Sequence, residues 1–345
     1  MIGTIISGIG WHTVGAASAA SFYAPISKVK QWSWETTWAI AGLFSWILLP
    51  WVVTWFLVPD FASFYGGITV KAYLAMFFFG AMWGIGNVNY GLTMRYLGMS
   101  LGIGVAIGVT LVVGTLLPVI VNGTFGHLVT TQSGQITMLG IMIALVGIAV
   151  VTYAGHQKDK VLGQTASEFN LKKGLILAVF CGIFSAGFAF GLNAAEPVKE
   201  ASLQIGINPL YAMLPSYGII MGGGALINFS YCLIRLAVKS DLSIRHDFSF
   251  PVKSLCINGL LAATGGVMWY LQFFFYAWGE ASIPQSLSFV NWMLHMSIYV
   301  LCGGLVGLAL AEWRGVGSRP VRILCLGMMI IVIAANVVGL GMATA

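Results

Sequence analysis

The residues of this chain best suited to carrying a proton are His12 and His295, because each lies near the middle of a long apolar stretch. An imidazole has an unperturbed pKa of about 6.5, so it can gain or lose a proton near neutral pH. All ten aspartates and glutamates fall at the edges of apolar stretches or between them. Ionisable groups inside a membrane are costly and usually functional. The pattern favours a proton-coupled carrier of an uncharged cargo. The alternative is that each histidine is a neutral hydrogen-bonding group between helices.

Composition places these histidines in an integral membrane protein. Of 345 residues, 59% are hydrophobic and 8% are charged, and the mean hydropathy is +0.91. A helix needs roughly 20 apolar residues to cross the hydrocarbon core, and ten stretches reach that length. We number the predicted spans 1 to 10, at residues 3–24, 36–57, 72–95, 100–120, 135–153, 173–195, 210–236, 254–278, 287–311 and 321–343. The expected fold class is therefore an all-α membrane protein with ten transmembrane helices.

Lysine and arginine positions predict the orientation. Fourteen of the sixteen basic residues follow or end odd-numbered spans, and only Lys71 and Lys199 follow even-numbered spans. Basic residues near span ends are retained on the cytoplasmic side, so both termini are expected on the periplasmic side. The first residues contain no Lys or Arg, so we expect span 1 to be retained rather than cleaved as a signal peptide. The net charge of +6 is explained by this topology and does not imply a nucleic-acid partner.

Short matches between the two halves indicate an internal repeat. Gly80-Ala-Met-Trp83 in span 3 resembles Gly266-Val-Met-Trp269 in span 8, and in both cases a tyrosine follows seven residues later. Leu139-Gly140 in span 5 likewise matches Leu326-Gly327 in span 10. Five spans per half give repeats of inverted topology, with the substrate site near the midplane. We expect repeats at residues 1–155 and 173–345, joined by a cytoplasmic linker at 156–172.

Deep tryptophans and amides are the candidate sugar-binding groups. An indole face suits the apolar face of a sugar ring, while amides and imidazoles bind its hydroxyls. Space filling and interhelical bonding are the plain alternatives for these side chains. The candidates are Trp11, Trp83, Asn87, Asn89, Trp269, Gln272 and Trp292.

Two further features concern the movement of the helices. Arg95 ends span 3 and is either a topology anchor or an ion-pair partner at an inner gate. The Gly222-Gly223-Gly224 run in span 7 is a candidate flexible point.

Other classes of protein fit the sequence less well. There is no HExxH motif, no pair of carboxylates and no nucleophile with a spaced base, which argues against a membrane enzyme. The five cysteines lie in spans without CxxC spacing, so neither a zinc site nor a disulfide framework is expected. A channel would need a filter loop, and the longest connections, 154–172 and 237–253, do not have that character. We expect no cofactor other than the coupling proton. The oligomeric state stays open.

Several segments resemble the bacterial L-rhamnose–proton symporter family. They are WHTVGAASAASFYAP from Trp11, QWSWET from Gln31, FGAMWGIGNVNYGLTMRYLGMS from Phe79, FNLKKGL from Phe169, MWYLQFFFYAWG from Met268 and WMLHMSIYVLCGG from Trp292. The family belongs to the drug/metabolite transporter superfamily, whose larger members have two inverted five-helix repeats. The resemblance implies proton-driven uptake of L-rhamnose, with L-lyxose and L-mannose as further candidates, across the bacterial inner membrane. A proton-coupled carrier or exporter of another small neutral metabolite is the alternative.

Overall fold

The computed structural model describes residues 2–97, 99–163, 170–238, 244–284 and 290–343. The regular secondary structure of these residues is entirely helical. In chain order the helices are α1 Ile2–Ser21, α2 Tyr23–Ile26, α3 Trp34–Gly42, α4 Leu49–Leu57, α5 Phe61–Gly66, α6 Val70–Leu97, α7 Met99–Val121, α8 Phe125–Thr130, α9 Gln132–Val161, α10 Leu171–Ser185, α11 Gly187–Ala194, α12 Glu196–Gln204, α13 Leu214–Val238, α14 Ile244–Asp247, α15 Val252–Ser282, α16 Val290–Ala309 and α17 Ser318–Ala343, with a π-helical turn, Leu43–Leu48, between α3 and α4.

Eight helical segments of the described chain are long and apolar enough to cross a membrane. They coincide with predicted spans 2 and 4 to 10, so the prediction of an all-α membrane protein is confirmed. Predicted spans 1 and 3 also form helices, α1 and α6, but these are not among the eight. Both helices carry polar residues near their centres, His12 in α1 and two asparagines in α6, which lower their mean hydropathy.

Local sequence explains where several helices begin. Ser33 precedes α3 and its hydroxyl accepts a hydrogen bond from the Thr36 amide. Thr131 and Asn170 cap α9 and α10 in the same way. A capping side chain satisfies one of the backbone N–H groups that a helix leaves unpaired at its start.

The helices group into two compact units, which we describe separately. Unit 1 comprises Met1–Ala20, Gly86–Ala186 and Trp278–Ala345, and unit 2 comprises Ser21–Ile85 and Gly187–Ala277. Unit 1 therefore holds α1, α7 to α10, α16, α17 and the second part of α6. Unit 2 holds α2 to α5, α11 to α14, the first part of α6 and most of α15.

Glycines bring α9 and α17 together in unit 1. A Cβ atom added at Gly140 of α9 would contact Val338 and Ala334 of α17. A Cβ added at Gly327 of α17 would lie 2.7 Å from a methyl carbon of Val151 on α9. Because neither glycine has a side chain, the two helix backbones approach closely along this contact, as small residues allow in membranes.

In unit 2, α13 packs directly on the backbone of α6. A Cβ added at Gly223 would meet the carbonyl oxygen of Phe77, and one added at Gly224 would lie 2.6 Å from the Trp83 ring. The triglycine run lies within one continuous helix, α13. Close helix packing accounts for Gly223 and Gly224, and a flexible point at this run stays a prediction.

Gly222 and Gly223 offer a matched test of this packing. Gly223→Ala is expected to lower the thermal unfolding temperature of the detergent-solubilised protein by several degrees, because the added methyl meets backbone that cannot move aside. A Cβ at Gly222 has nothing within 4 Å, so Gly222→Ala should leave stability unchanged or raise it through better helix propensity. Equal unfolding temperatures for the two variants would contradict the packing account.

Candidate functional site

The two predicted proton carriers lie together in unit 1. The ring centroids of His12 on α1 and His295 on α16 are 5.6 Å apart, with the rings nearly edge to face. The exposed fractions are 0% for His12 and 2% for His295. A proton that reaches one ring is therefore within a short distance of the other, although the two residues are far apart in sequence.

Asn291 holds the ring of His12 in place. The Nε2 atom of His12 lies 3.0 Å from Oδ1 of Asn291, which begins the first turn of α16. A carbonyl oxygen only accepts hydrogen bonds, so Nε2 carries the hydrogen in this arrangement. Gly279 of α15 packs closely against the His12 ring, because a Cβ added at Gly279 would lie 2.7 Å from the same Nε2 atom. The imidazole is thus held both by a hydrogen bond and by close packing.

Trp292 and Tyr299 extend the polar face of α16. The indole Nε1 of Trp292 donates to the carbonyl oxygen of Thr110 on α7 at 3.2 Å. Tyr299, four residues after His295, shares a hydrogen bond between phenol groups with Tyr90 of α6. Residues three and four apart lie on one helix face, so Trp292, His295 and Tyr299 form one polar stripe along α16.

Three more predicted sugar-binding residues belong to unit 1. The Trp11 ring on α1 meets the Trp278 ring edge to face, with centroids 4.6 Å apart. Trp278, at the end of predicted span 8, therefore contacts a candidate site residue. Asn87 and Asn89 lie on α6, and the amide nitrogen of Asn87 is buried without an acceptor among the described residues. Asn87 precedes Tyr90 by three positions and so shares the helix face that bonds to α16.

The remaining candidates, Trp83, Trp269 and Gln272, belong to unit 2. Trp83 and Gln272 are buried, and the rings of Trp83 and Trp269 both contact Phe273. Trp269 also lines a narrow crevice beside the π-helical turn, where its indole nitrogen finds no acceptor in the described chain.

Two residues of this crevice are candidate site residues that the sequence analysis did not include. Ser45 and Trp46, both in the π-helical turn, have buried polar atoms that no described residue satisfies. π-helical turns are rare and often occur at functional sites. Trp46 lies in the middle of span 2, and this depth is the signal that would have added it to the candidate tryptophans.

Arg95 lies in α6, but its side chain is outside the described part of the structure. Neither the anchor role nor the gate role is therefore tested. Within the described residues, no group of three or more His, Cys, Asp or Glu side chains could hold a metal ion.

The fold and this buried polar site define a class, the multi-pass all-α membrane proteins. Residues 1–344 match the family model described as L-rhamnose-proton symport protein (RhaT). L-rhamnose-proton symporters of Citrobacter koseri and Mannheimia succiniciproducens are 58% and 60% identical to this chain, over 344 and 343 residues. That of Salmonella paratyphi B is 59% identical, and the alignments cover at least 99% of this chain and 100% of each relative. The chain belongs to the L-rhamnose-proton symport protein family, whose members are transporters and not enzymes.

The contact between Gly279 and His12 gives a test of the site geometry. Gly279→Ala should displace the imidazole and lower the rate of transport of the family's sugar, because the added methyl overlaps the His12 ring. Gly10→Ala on α1 is the control, since a Cβ there has nothing within 4 Å. Initial uptake rates, normalised to protein in the membrane, measure the effect. Wild-type rates in the Gly279→Ala variant would show that His12 does not need this position.

Proposed function

We propose that this chain takes up L-rhamnose together with protons across the bacterial inner membrane by alternating access. Its membership of the symporter family over nearly its whole length supports the activity. The observation that carries the mechanism is the buried pair of histidines, His12 and His295, with ring centroids 5.6 Å apart. L-Lyxose and L-mannose are further candidate sugars. A proton-coupled carrier or exporter of another small neutral metabolite is the alternative.

His12 and His295 are the proton carriers in this proposal. The buried acidic residues of the described chain, Glu35, Asp159 and Asp247, lie toward helix ends or in a connection, and Glu280 lies near the end of α15, directly after the glycine that contacts His12. A neutral sugar needs no fixed counter-charge, whereas the coupling proton needs a group that titrates near neutral pH. An imidazole, whose ordinary pKa is about 6.5, is such a group, and the pair places no permanent charge in the membrane.

The sugar-binding groups in the proposal are the predicted tryptophans and amides. In unit 1 they are Trp11, Trp292, Asn87 and Asn89, which lie on the helices that carry or adjoin the histidines. In unit 2 they are Trp83, Trp269 and Gln272. Aromatic walls with a few convergent polar atoms are the usual composition of small-molecule sites.

We propose two inverted five-helix repeats, residues 1–155 and 173–345, joined by the cytoplasmic linker 156–172. Reciprocal contacts in unit 1 support this division. Gly140 meets Val338, and Gly327 meets Val151. The separation in sequence from Val151 to Val338 equals that from Gly140 to Gly327. Exchanging the two halves therefore turns the contact between Gly140 and Val338 into the contact between Gly327 and Val151. A two-fold relation between repeats produces such paired contacts.

The histidine mechanism predicts the behaviour of three variants in proteoliposomes. Wild-type protein should accumulate L-rhamnose only when an inward proton gradient is imposed. His12→Gln and His295→Gln should each abolish accumulation, because glutamine bonds like a neutral imidazole but cannot titrate. His156→Gln, near the end of α9, is the matched control and should accumulate sugar like wild type.

Three outcomes would contradict this proposal. If both His12→Gln and His295→Gln still concentrate sugar against a gradient, the proton is carried elsewhere. If wild-type protein accumulates another neutral metabolite but not L-rhamnose, the alternative cargo is correct. Facilitated entry without accumulation in wild type would instead indicate a channel.

The proposed orientation places both termini on the periplasmic side. Alkaline phosphatase fused after Ala345 should be active, because this enzyme matures only in the oxidising periplasm. The same enzyme inserted after Lys160, in the basic connection that follows span 5, should be inactive. The reversed pattern of activities would overturn the orientation and, with it, the assignment of loops to the two sides.

A further inference from the structure

Asn291 is hydrogen-bonded to His12, so the bonding of its side chain depends on the protonation of that ring. Its side chain is fully buried, with 0% exposed, and its Oδ1 atom accepts the hydrogen bond from His12 Nε2 at 3.0 Å. The two residues come from opposite ends of the chain, α1 and α16, so this bond links helices rather than neighbours in sequence. Any change in the hydrogen on Nε2 must change the bond that Asn291 makes.

The other end of the same amide has no acceptor among the described residues. The Nδ2 atom of Asn291 is buried and makes no hydrogen bond to any residue that the structure describes. An orphaned buried donor costs about 1 to 3 kcal/mol, and such groups are uncommon in native proteins. A ligand that supplies an acceptor oxygen would remove this cost.

The surroundings of Asn291 indicate the chemistry of that ligand. The described groups that adjoin His12 are the imidazole of His295 and the amide of Asn291, with Glu280 directly after Gly279, the glycine that packs against the ring. Asn87 presents a second orphaned amide nitrogen on the face of α6 that bonds to α16 through Tyr90 and Tyr299. Neutral donors of this kind suit the hydroxyl and ring oxygens of a sugar.

We propose that Asn291 couples the proton to the sugar, its carbonyl oxygen bound to His12 and its amide nitrogen bound to a sugar oxygen. The proposal rests on the function proposed above and assigns a binding and coupling role to a residue outside the predicted site. The amide has one acceptor and one donor end. Whichever end faces His12 determines the end that faces the sugar.

Protonation of His12 then selects one orientation of the amide. In the imidazolium both ring nitrogens carry hydrogen, so Nε2 can only donate and Asn291 must present its carbonyl to the ring. The amide nitrogen is then directed toward the sugar. In neutral His12 the hydrogen can reside on Nδ1 instead, and the amide reverses to donate to Nε2. Protonation therefore restricts Asn291 to the orientation that binds a hydroxyl oxygen.

Two other ionisable residues adjoin this arrangement. His295 faces His12 from α16, with a distance of 5.6 Å between ring centroids. Glu280 directly follows Gly279 on α15, the helix that packs against the imidazole. Binding must therefore also be measured in His295→Gln and Glu280→Gln, which leave His12 and Asn291 in place.

The test is L-rhamnose binding to purified, full-length protein by titration calorimetry at about pH 5.5 and about pH 8.5, one unit or more on either side of the ordinary pKa of a free imidazole. Wild type should bind more tightly at the lower pH. Asn291→Leu should weaken binding about tenfold at the lower pH, because one hydrogen bond is lost, and should remove the pH dependence. Asn336→Leu is the matched control, since that exposed amide bonds only within its own helix, to Val332.

Asn291→Asp separates the two ends of the amide and serves if the leucine variant does not fold. Its carboxylate still accepts from His12 but lacks the N–H donors. Binding should again weaken about tenfold, whereas the pH dependence should persist and move to higher pH, because the carboxylate holds the proton on His12. A purely structural role would lower the unfolding temperature without this split between affinity and pH dependence.

Failure of the inference and failure of the proposed function give different results. Wild-type affinity and pH dependence in both Asn291 variants would overturn the role of Asn291 alone. Absence of L-rhamnose binding in wild type would overturn the proposed function. Loss of the pH dependence in His295→Gln or Glu280→Gln, together with its retention in Asn291→Leu, would assign the coupling to those residues without Asn291 and also overturn the inference.

Discussion

The rest of the site depends on one constraint, the need of buried polar groups for hydrogen-bond partners, and the bond between His12 and Asn291 is the main example. Inside a membrane a polar group finds no water, so it must bond to the protein or to a ligand. Several described polar residues of unit 1 follow this rule through bonds that connect helices, from α1 to α16, from α16 to α7 and from α6 to α16, whereas the amide nitrogens of Asn87 and Asn291 have no acceptor among the described residues. The bond from His12 to α16, the helix that carries His295, therefore also fixes the positions of the two candidate proton carriers relative to each other.

Glycine brings helices into close contact in both units. Gly140 and Gly327 allow α9 and α17 to contact closely, and Gly223 allows α13 to pack directly on the backbone of α6. In lipid there is little hydrophobic force between helices, so van der Waals contact between close backbones contributes much of the attraction. Gly279 uses the same principle at the site, where the missing side chain makes room for the His12 ring.

Much of the fold followed from composition, because hydropathy alone marks helices that must lie in a membrane. The prediction of an all-α membrane protein is confirmed, and the two histidines singled out by depth lie side by side. The partner of His12 could not be predicted, because Asn291 is 279 residues away and many mid-span amides were equivalent in sequence. The π-helical turn at Leu43–Leu48 could not be predicted from the sequence either, because an apolar stretch has the same hydropathy whether its helix is regular or locally widened. Trp278 lies at the end of predicted span 8, far from Trp11 in sequence, and only the fold brings the two rings together.

The central claim is that the sugar and the proton bind to one linked site built on His12. Linkage between two ligands is reciprocal, so a proton that favours sugar binding must itself be favoured by the sugar. The most direct measurement is the pH change when L-rhamnose is added to purified protein in weakly buffered detergent solution near pH 6.5, the ordinary histidine value. The account predicts net proton uptake that saturates with sugar binding and disappears in His12→Gln. Sugar binding without proton uptake at any pH between about 5.5 and about 8.5 would contradict it.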